Sequence, residues 1–193
     1  MRMRDRDRRP NATVTTGLAA GTLVETQGGW RPVETLHPGE AVQTWDGGLR
    51  PVLQIRRAAC AGGLILLSGG LLDTCSDLPL LPGQHLLIDR EEAALAVGIP
   101  VALLPARALI GLPGIGFARA GAAVFTLIFE AEEVVYANSG ALLHCPSCRM
   151  DPQQAPKSDF FTVMRPDQRP ALLKAIGQGM APVRNVRKVP LAA

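Results

Sequence analysis

Aromatic residues make up only 4% of this 193-residue chain, with one tyrosine and two tryptophans. Few rings are therefore present to stack on bases, and no basic face interleaved with aromatics can be read from the sequence, which argues against specific nucleic-acid binding. Charge of one sign is nearly balanced by the other, at a formal net +3. Much of the positive charge lies in Arg2, Arg4, Arg6, Arg8 and Arg9 at one end and in Arg184, Arg187 and Lys188 at the other. Cysteine is sparse and irregularly spaced (Cys60, Cys75, Cys145, Cys148), so no disulfide framework is expected and the thiols should be reduced. No apolar run follows the first arginines, so no secretory signal is visible and a cytoplasmic location is expected. The longest apolar stretch, 93–117, is interrupted by Pro100, Pro105 and Pro113. A lipid-exposed helix would lose backbone hydrogen bonds at those prolines with no water to replace them, so buried strands and turns are predicted rather than a membrane span.

What is present is a body with 47% hydrophobic and 19% charged residues, enough for one folded domain built mostly from Val, Leu, Ile and Ala. Residues 1–16 are expected to be a disordered basic leader, because a charged stretch nearly free of apolar side chains cannot offset the entropy of ordering. Punctuation by turns then dominates. A β-rich run at 22–26, Gly28-Gly29 and a resumed extended run at 30–33 predict a hairpin. Pro38-Gly39 precedes a strand at about 41–44, and Asp46-Gly47 precedes another at about 51–56. Further strands are expected in "GGLILLSGG", in "LPLLPGQHLLIDR" with His85 at its middle, and in "IPVALL", followed by a helical turn at 106–110. "AAVFTLIFEAEEVVYANSG" predicts a two-strand hairpin around 130–132, closed by Asn138-Ser139-Gly140. Short strands with strong turns between them indicate an all-β architecture. The domain is placed at 17–148, and 149–193 is expected to be a Pro-rich appendage with a short helix in "ALLKAIGQGM" whose Leu172, Leu173 and Ile176 share one face.

The run Gly21-Thr22-Leu23-Val24-Glu25-Thr26, Trp30-Arg31-Pro32-Val33-Glu34, Leu36 and Pro38-Gly39-Glu40-Ala41-Val42 resembles the entrance of bacterial Hint (hedgehog/intein) domains. Looser agreement extends through "PGQHLLI", "LLPARAL" and "LIFEAEEVVYANSG". The resemblance implies a compact Hint-like β domain and a family chemistry of autocatalytic peptide-bond cleavage or splicing. In that chemistry a Cys or Ser opening the domain attacks the preceding carbonyl, and a strand histidine protonates the departing nitrogen. The resemblance places the nucleophile at Gly17, which has no side chain with which to attack. Thr16 carries a hydroxyl one residue earlier, but a one-residue slip along an extended chain turns it to the other face. His85 matches the strand histidine, with Pro82 where a Thr or Ser would steady it. Glu132 stands where relatives often have a second histidine. Asn138 matches a family turn and, read as a residue, fits a turn position with positive φ. His144-Cys145 lacks the asparagine that splicing would need.

His144, Cys145 and Cys148 form a C-x-x-C with an adjacent histidine, a weak candidate for zinc because no second pair at similar spacing exists. No cofactor is expected, and a protein partner is the expected kind of contact. The leading expectation is a degenerate Hint domain that does not cleave because Gly17 replaces the nucleophile. The alternatives are residual self-cleavage near Thr16-Gly17 assisted by His85, and a zinc-stabilised interaction module. On this reading a cysteine supplied at position 17 would restore some thiol-sensitive cleavage.

Overall fold

The computed structural model describes residues 14–60, 62–89, 91, 98, 100–119, 123–150 and 158–179; most of the basic leader and the last residues of the chain lie outside it. Fifteen short strands are present among the described residues: β1 (Leu18–Ala19), β2 (Leu23–Thr26), β3 (Gly29–Pro32), β4 (Ala41–Thr44), β5 (Gly48–Pro51), β6 (Gln54–Ala59), β7 (Leu64–Leu67), β8 (Leu78–Leu80), β9 (His85–Ile88), β10 (Ala102–Pro105), β11 (Ile115–Ala118), β12 (Ala123–Ile128), β13 (Glu133–Ala137), β14 (Ala141–Cys145) and β15 (Thr162–Val163). One helix, α1 (Arg169–Gly179), follows them. They build two sheets, one in the order β11-β7-β8-β1-β12-β6 and the other β15-β10-β9-β14-β13-β2-β4-β5, with β3 paired to β2.

The expected hairpin at Gly28-Gly29 forms with Thr26 opposite Gly29, and β4 occupies 41–44. The motif residues around it have structural work. Glu34 accepts the Gly21 amide at 2.8 Å, while Glu40 pairs with Arg31 at 2.8 Å and accepts the His37 amide. The turn glycines and these carboxylates fix the path of residues 21–40 by local hydrogen bonds. A helical turn at Ala106–Leu109 and a helix carrying Leu172 and Ile176 into the main core also agree with the sequence pattern, with Leu173 partly buried beside them.

Three local expectations are corrected. The strand expected at about 51–56 is two strands: Val52 is still bonded to Glu40 in continuation of the β4–β5 pairing, while the next amide, Leu53, donates to Ile128 of β12, so the chain changes sheet there. His85 opens its strand rather than standing at its middle, since the Pro82-Gly83 turn delays pairing until residue 85. The runs on either side of 130–132 do not pair: β12 lies between β1 and β6 in the first sheet, while β13 lies between β14 and β2 in the second. The turn at Asn138-Ser139-Gly140 closes the β13–β14 hairpin, and 130–132 is a crossover between sheets.

The main core collects alternate residues from both sheets, including Leu18, Ile65, Leu80, Phe125 and Leu127 from the first and Val42, Leu86, Val135, Ala137 and Leu143 from the second. The period of two then sends Leu87, Leu103 and Val134 to the opposite face of the second sheet, where Trp45, Phe161 and Val163 pack on them. Residues 158–179 are thus joined to the body: β15 runs parallel to β10, and Met164 sits in the main core.

Asn138 binds three parts of this frame at φ 45°. Its Oδ1 accepts the Leu23 amide at 2.9 Å, and its Nδ2 donates to Ser76 Oγ at 3.0 Å and to the Asp77 carbonyl at 3.1 Å. The side chain is buried, whereas Ser76 and Asp77 are exposed, so truncation chiefly takes the acceptor from the Leu23 amide. Asn138→Ala is expected to lower the stability measured by urea unfolding by about 1–3 kcal/mol, from that lost bond and the left-handed backbone together.

Candidate functional site

The domain entrance, the β9 histidine and the C-terminal segment converge on one cleft of about 460 Å³, lined by Thr15, Thr16, Gly83, His85, Leu104, Arg107, Val163 and Met164 among others. Gly17, next to Thr16 in the chain but not itself in the lining, has φ +119°, a conformation rarely open to residues with a Cβ. A Cβ placed there would stand 2.6 Å from Val124 Cγ1 and 3.1 Å from Thr126 Oγ1. A side chain at position 17 would therefore need both a change of backbone and a shift of Val124.

The amide of Gly17 is not held by the histidine. It donates to Gln84 Oε1 at 2.8 Å, and Gln84 Nε2 in turn donates to the carbonyls of His85 (3.0 Å) and His144 (2.9 Å). This buried amide ties the entrance to β9 and β14. Nothing in the sequence marks it, because glutamine is ordinarily a surface residue and its neighbour His85 attracts the attention. Upstream, the Gly83 amide donates to the Thr15 carbonyl at 2.9 Å, so the chain is stitched to the β9 turn on both sides of Thr16.

His85 is buried and its Nδ1 lies 2.8 Å from the Gly83 carbonyl. Nδ1 must carry the proton to make that bond, which leaves Nε2 as the basic nitrogen. Burial pushes the ring down to about 4, with the Gly83 carbonyl working in the opposite direction and His144 and Arg107 adding to the decrease. The ring is thus neutral at physiological pH.

Glu132, on the crossover, occupies the position where a second histidine was sought. Its Oε2 lies 2.8 Å from His144 Nε2, and its Oε1 accepts from Ser158 Oγ (2.9 Å) and from the amides of Asp159 and Phe160 (2.8 Å each). Burial works to raise this carboxyl, but the His144, Phe160 and Ser158 bonds outweigh it and hold the pKa below the ordinary value. The pair anchors 158–160, and with it one wall of the cleft.

The zinc candidates are not brought together. His144 and Cys145 are adjacent on β14 and point to opposite faces; His144 Nε2 is engaged by Glu132, while Cys145 lies in the main core, where burial pushes its thiol up. Cys148 is exposed, with its Sγ 3.7 Å from the Glu130 carbonyl. Among the described residues no three His, Cys, Asp or Glu side chains are grouped to hold a metal ion. Asn138 lies outside the cleft lining, as the turn residue described above.

Two outcomes are expected. In an NMR titration, the His85 ring should stay neutral with Nδ1 protonated until the pH falls to about 4. Because the Glu132 pKa is lowered on folding, its stabilising effect is present above the unfolded value of 4.5 and disappears as pH falls below it. Glu132→Ala takes the acceptor from the His144 ring, the Ser158 hydroxyl and the Asp159 and Phe160 amides and should cost about 1–3 kcal/mol in urea unfolding at neutral pH.

A family match covers residues 16–142, described as a Hint domain. Among solved structures, the chain is similar to a bacterial intein-like domain from Clostridium thermocellum, at 14% identity and a TM-score of 0.49, covering 67% of this chain and 98% of that one. It is also similar to a splice-inactive variant of the AceL NrdHF class 3 split intein, at 12% identity and a TM-score of 0.46, covering 67% and 97%. No curated protein matches it. Among the described residues no helix is long and apolar enough to cross a membrane, which says nothing of β-barrels. With the match extending from the entrance segment to β14, the chain belongs to the Hint domain family.

Proposed function

We propose that this chain is a Hint domain in which the N-terminal acyl shift no longer runs, and whose fold serves a binding or scaffolding role. The observation that carries the reading is the backbone of Gly17. An acyl shift needs a side-chain nucleophile at the opening position, aimed at the carbonyl before it. Here the position has no side chain, its φ of +119° disfavours one, and Val124 fills the space that a Cβ would need.

The proton donor is also out of place. In the family chemistry a histidine gives a proton to the departing nitrogen, which here would be the amide of Gly17. That amide is bonded to Gln84 Oε1, while the Nδ1 proton of His85 is committed to the Gly83 carbonyl. With a pKa of about 4, the ring carries no second proton to give at neutral pH. Both halves of the shift, attack and protonation, lack their group.

A second reading keeps slow self-cleavage before Gly17, favoured by the fact that Thr16 and His85 line one cleft. Against it, Gly83 and Gln84 hold the backbone on either side of Thr16 in place through the Thr15 carbonyl and the Gly17 amide. On this proposal, and contrary to the expectation from the resemblance, Gly17→Cys should give no thiol-sensitive cleavage and should destabilise the fold by about 1–3 kcal/mol through backbone strain.

Intact-mass measurement after incubation at mildly alkaline pH, with and without hydroxylamine or dithiothreitol, separates the two readings. Only the full-length chain is expected, for the wild type and for Gly17→Cys alike. A fragment beginning at residue 16 or 17 that disappears in His85→Ala would overturn the proposal in favour of residual cleavage.

A further inference from the structure

The cleft beside Gly17 has a wall that the Hint match does not include. Residues 16–142 contribute Thr16, His85, Leu104 and Arg107, but Val163, Met164 and Arg165 come from the segment that follows. That segment is held by three independent means: the Glu132 carboxylate accepting from residues 158–160, the β10–β15 ladder, and the guanidinium of Arg169 donating to the carbonyls of Ala108 (2.8 Å) and Ile110 (3.2 Å). A strand and helix secured in this way turn an open face into a pocket. Its volume of about 460 Å³ falls within the range of small-molecule sites.

The lining has a consistent chemistry. Leu104, Ala108, Val163 and Met164 supply an apolar body, His85 gives a neutral polar contact, and every charged residue of the lining is an arginine: Arg107, Arg165 and Arg169. Among the described residues no aspartate or glutamate lines the cleft. Arg107 is exposed and lines the same cleft as His85, so a ligand at the histidine would meet it. Arg165 is partly balanced by Asp167 at 3.4 Å on the solvent side. An occupant must therefore match an apolar interior and a cationic mouth. The basic leader that precedes Thr15 carries the same sign as the mouth and is a poor occupant.

We propose that this cleft binds a small organic acid with an apolar body, its hydrocarbon against Leu104, Val163 and Met164 and its carboxylate at Arg107. The guanidinium fork suits a carboxylate in particular, since two parallel N–H donors meet its two oxygens. This goes beyond the loss of the acyl shift and does not require it: the wall and the arginines are the same whether or not slow cleavage persists.

Octanoate is the probe, with octylammonium and octanol as the charge controls, on full-length protein whose intact mass is verified before and after. Of the five methionines, Met164 lines the cleft and Met150 does not, so methyl NMR on methionine-labelled protein locates the binding. Octanoate should shift the Met164 methyl saturably and leave Met150 unmoved, with octanol weaker and octylammonium weakest. Arg107→Glu, at an exposed position that should not disturb folding, should weaken octanoate about tenfold and narrow its advantage over octylammonium. Equal binding of octanoate and octylammonium, an unmoved Met164 methyl, or unchanged affinity in Arg107→Glu would overturn the proposal. Cleavage seen in the mass check would bear on the acyl shift alone.

Discussion

The side chain of Gln84 is the junction on which this molecule depends. One buried amide accepts from Gly17 and donates to the carbonyls of His85 and His144, so the opening residue of the domain, the first residue of β9 and the last turn of pairing on β14 share one set of hydrogen bonds. Each of those backbone groups would be costly to bury alone, and a single planar amide satisfies all three. The entrance segment, β1, is only two residues long and pairs by few bonds. The Gln84 bond to Gly17, with the Gly83 bond to the Thr15 carbonyl, fixes the residues just before β1 against the second sheet.

The same economy appears at Glu132. A carboxylate in a buried crossover would be destabilising by itself, yet four donors surround it, and the result is that a distant stretch of chain is fastened over the outer face of the second sheet. Phe161 then packs edge-on against both Trp45 and His144, completing a small apolar cluster on the face away from the main core. Polar anchoring and apolar cover support each other here: the carboxylate fixes the segment, and the segment's aromatic ring excludes water from the carboxylate.

Much of the fold was legible in the sequence because turns carry most of the information in a chain of short strands. Gly28-Gly29, Pro38-Gly39 and Asn138-Ser139-Gly140 each mark a change of direction with a definite backbone reason, and the strands between them follow. Sheet membership was not legible. Apolar runs joined by a charged stretch look alike whether the second run folds back on the first or crosses to another sheet, so 130–132 reads as a hairpin tip and is a crossover. At the site, Thr16 and His85 were visible and both line one cleft, while Gly17 lies next to Thr16 outside the lining. The roles of Gln84 and Glu132 were not, because what each does depends on which backbone groups the tertiary fold brings to it, and such pairings leave no local pattern.

The tight fit at Gly17 also limits what one substitution can do. A side chain at position 17 has no room until Val124 shifts or becomes smaller, and the backbone must leave its positive φ as well. Positions 17 and 124 therefore act as one unit, and a change at either is felt through the other.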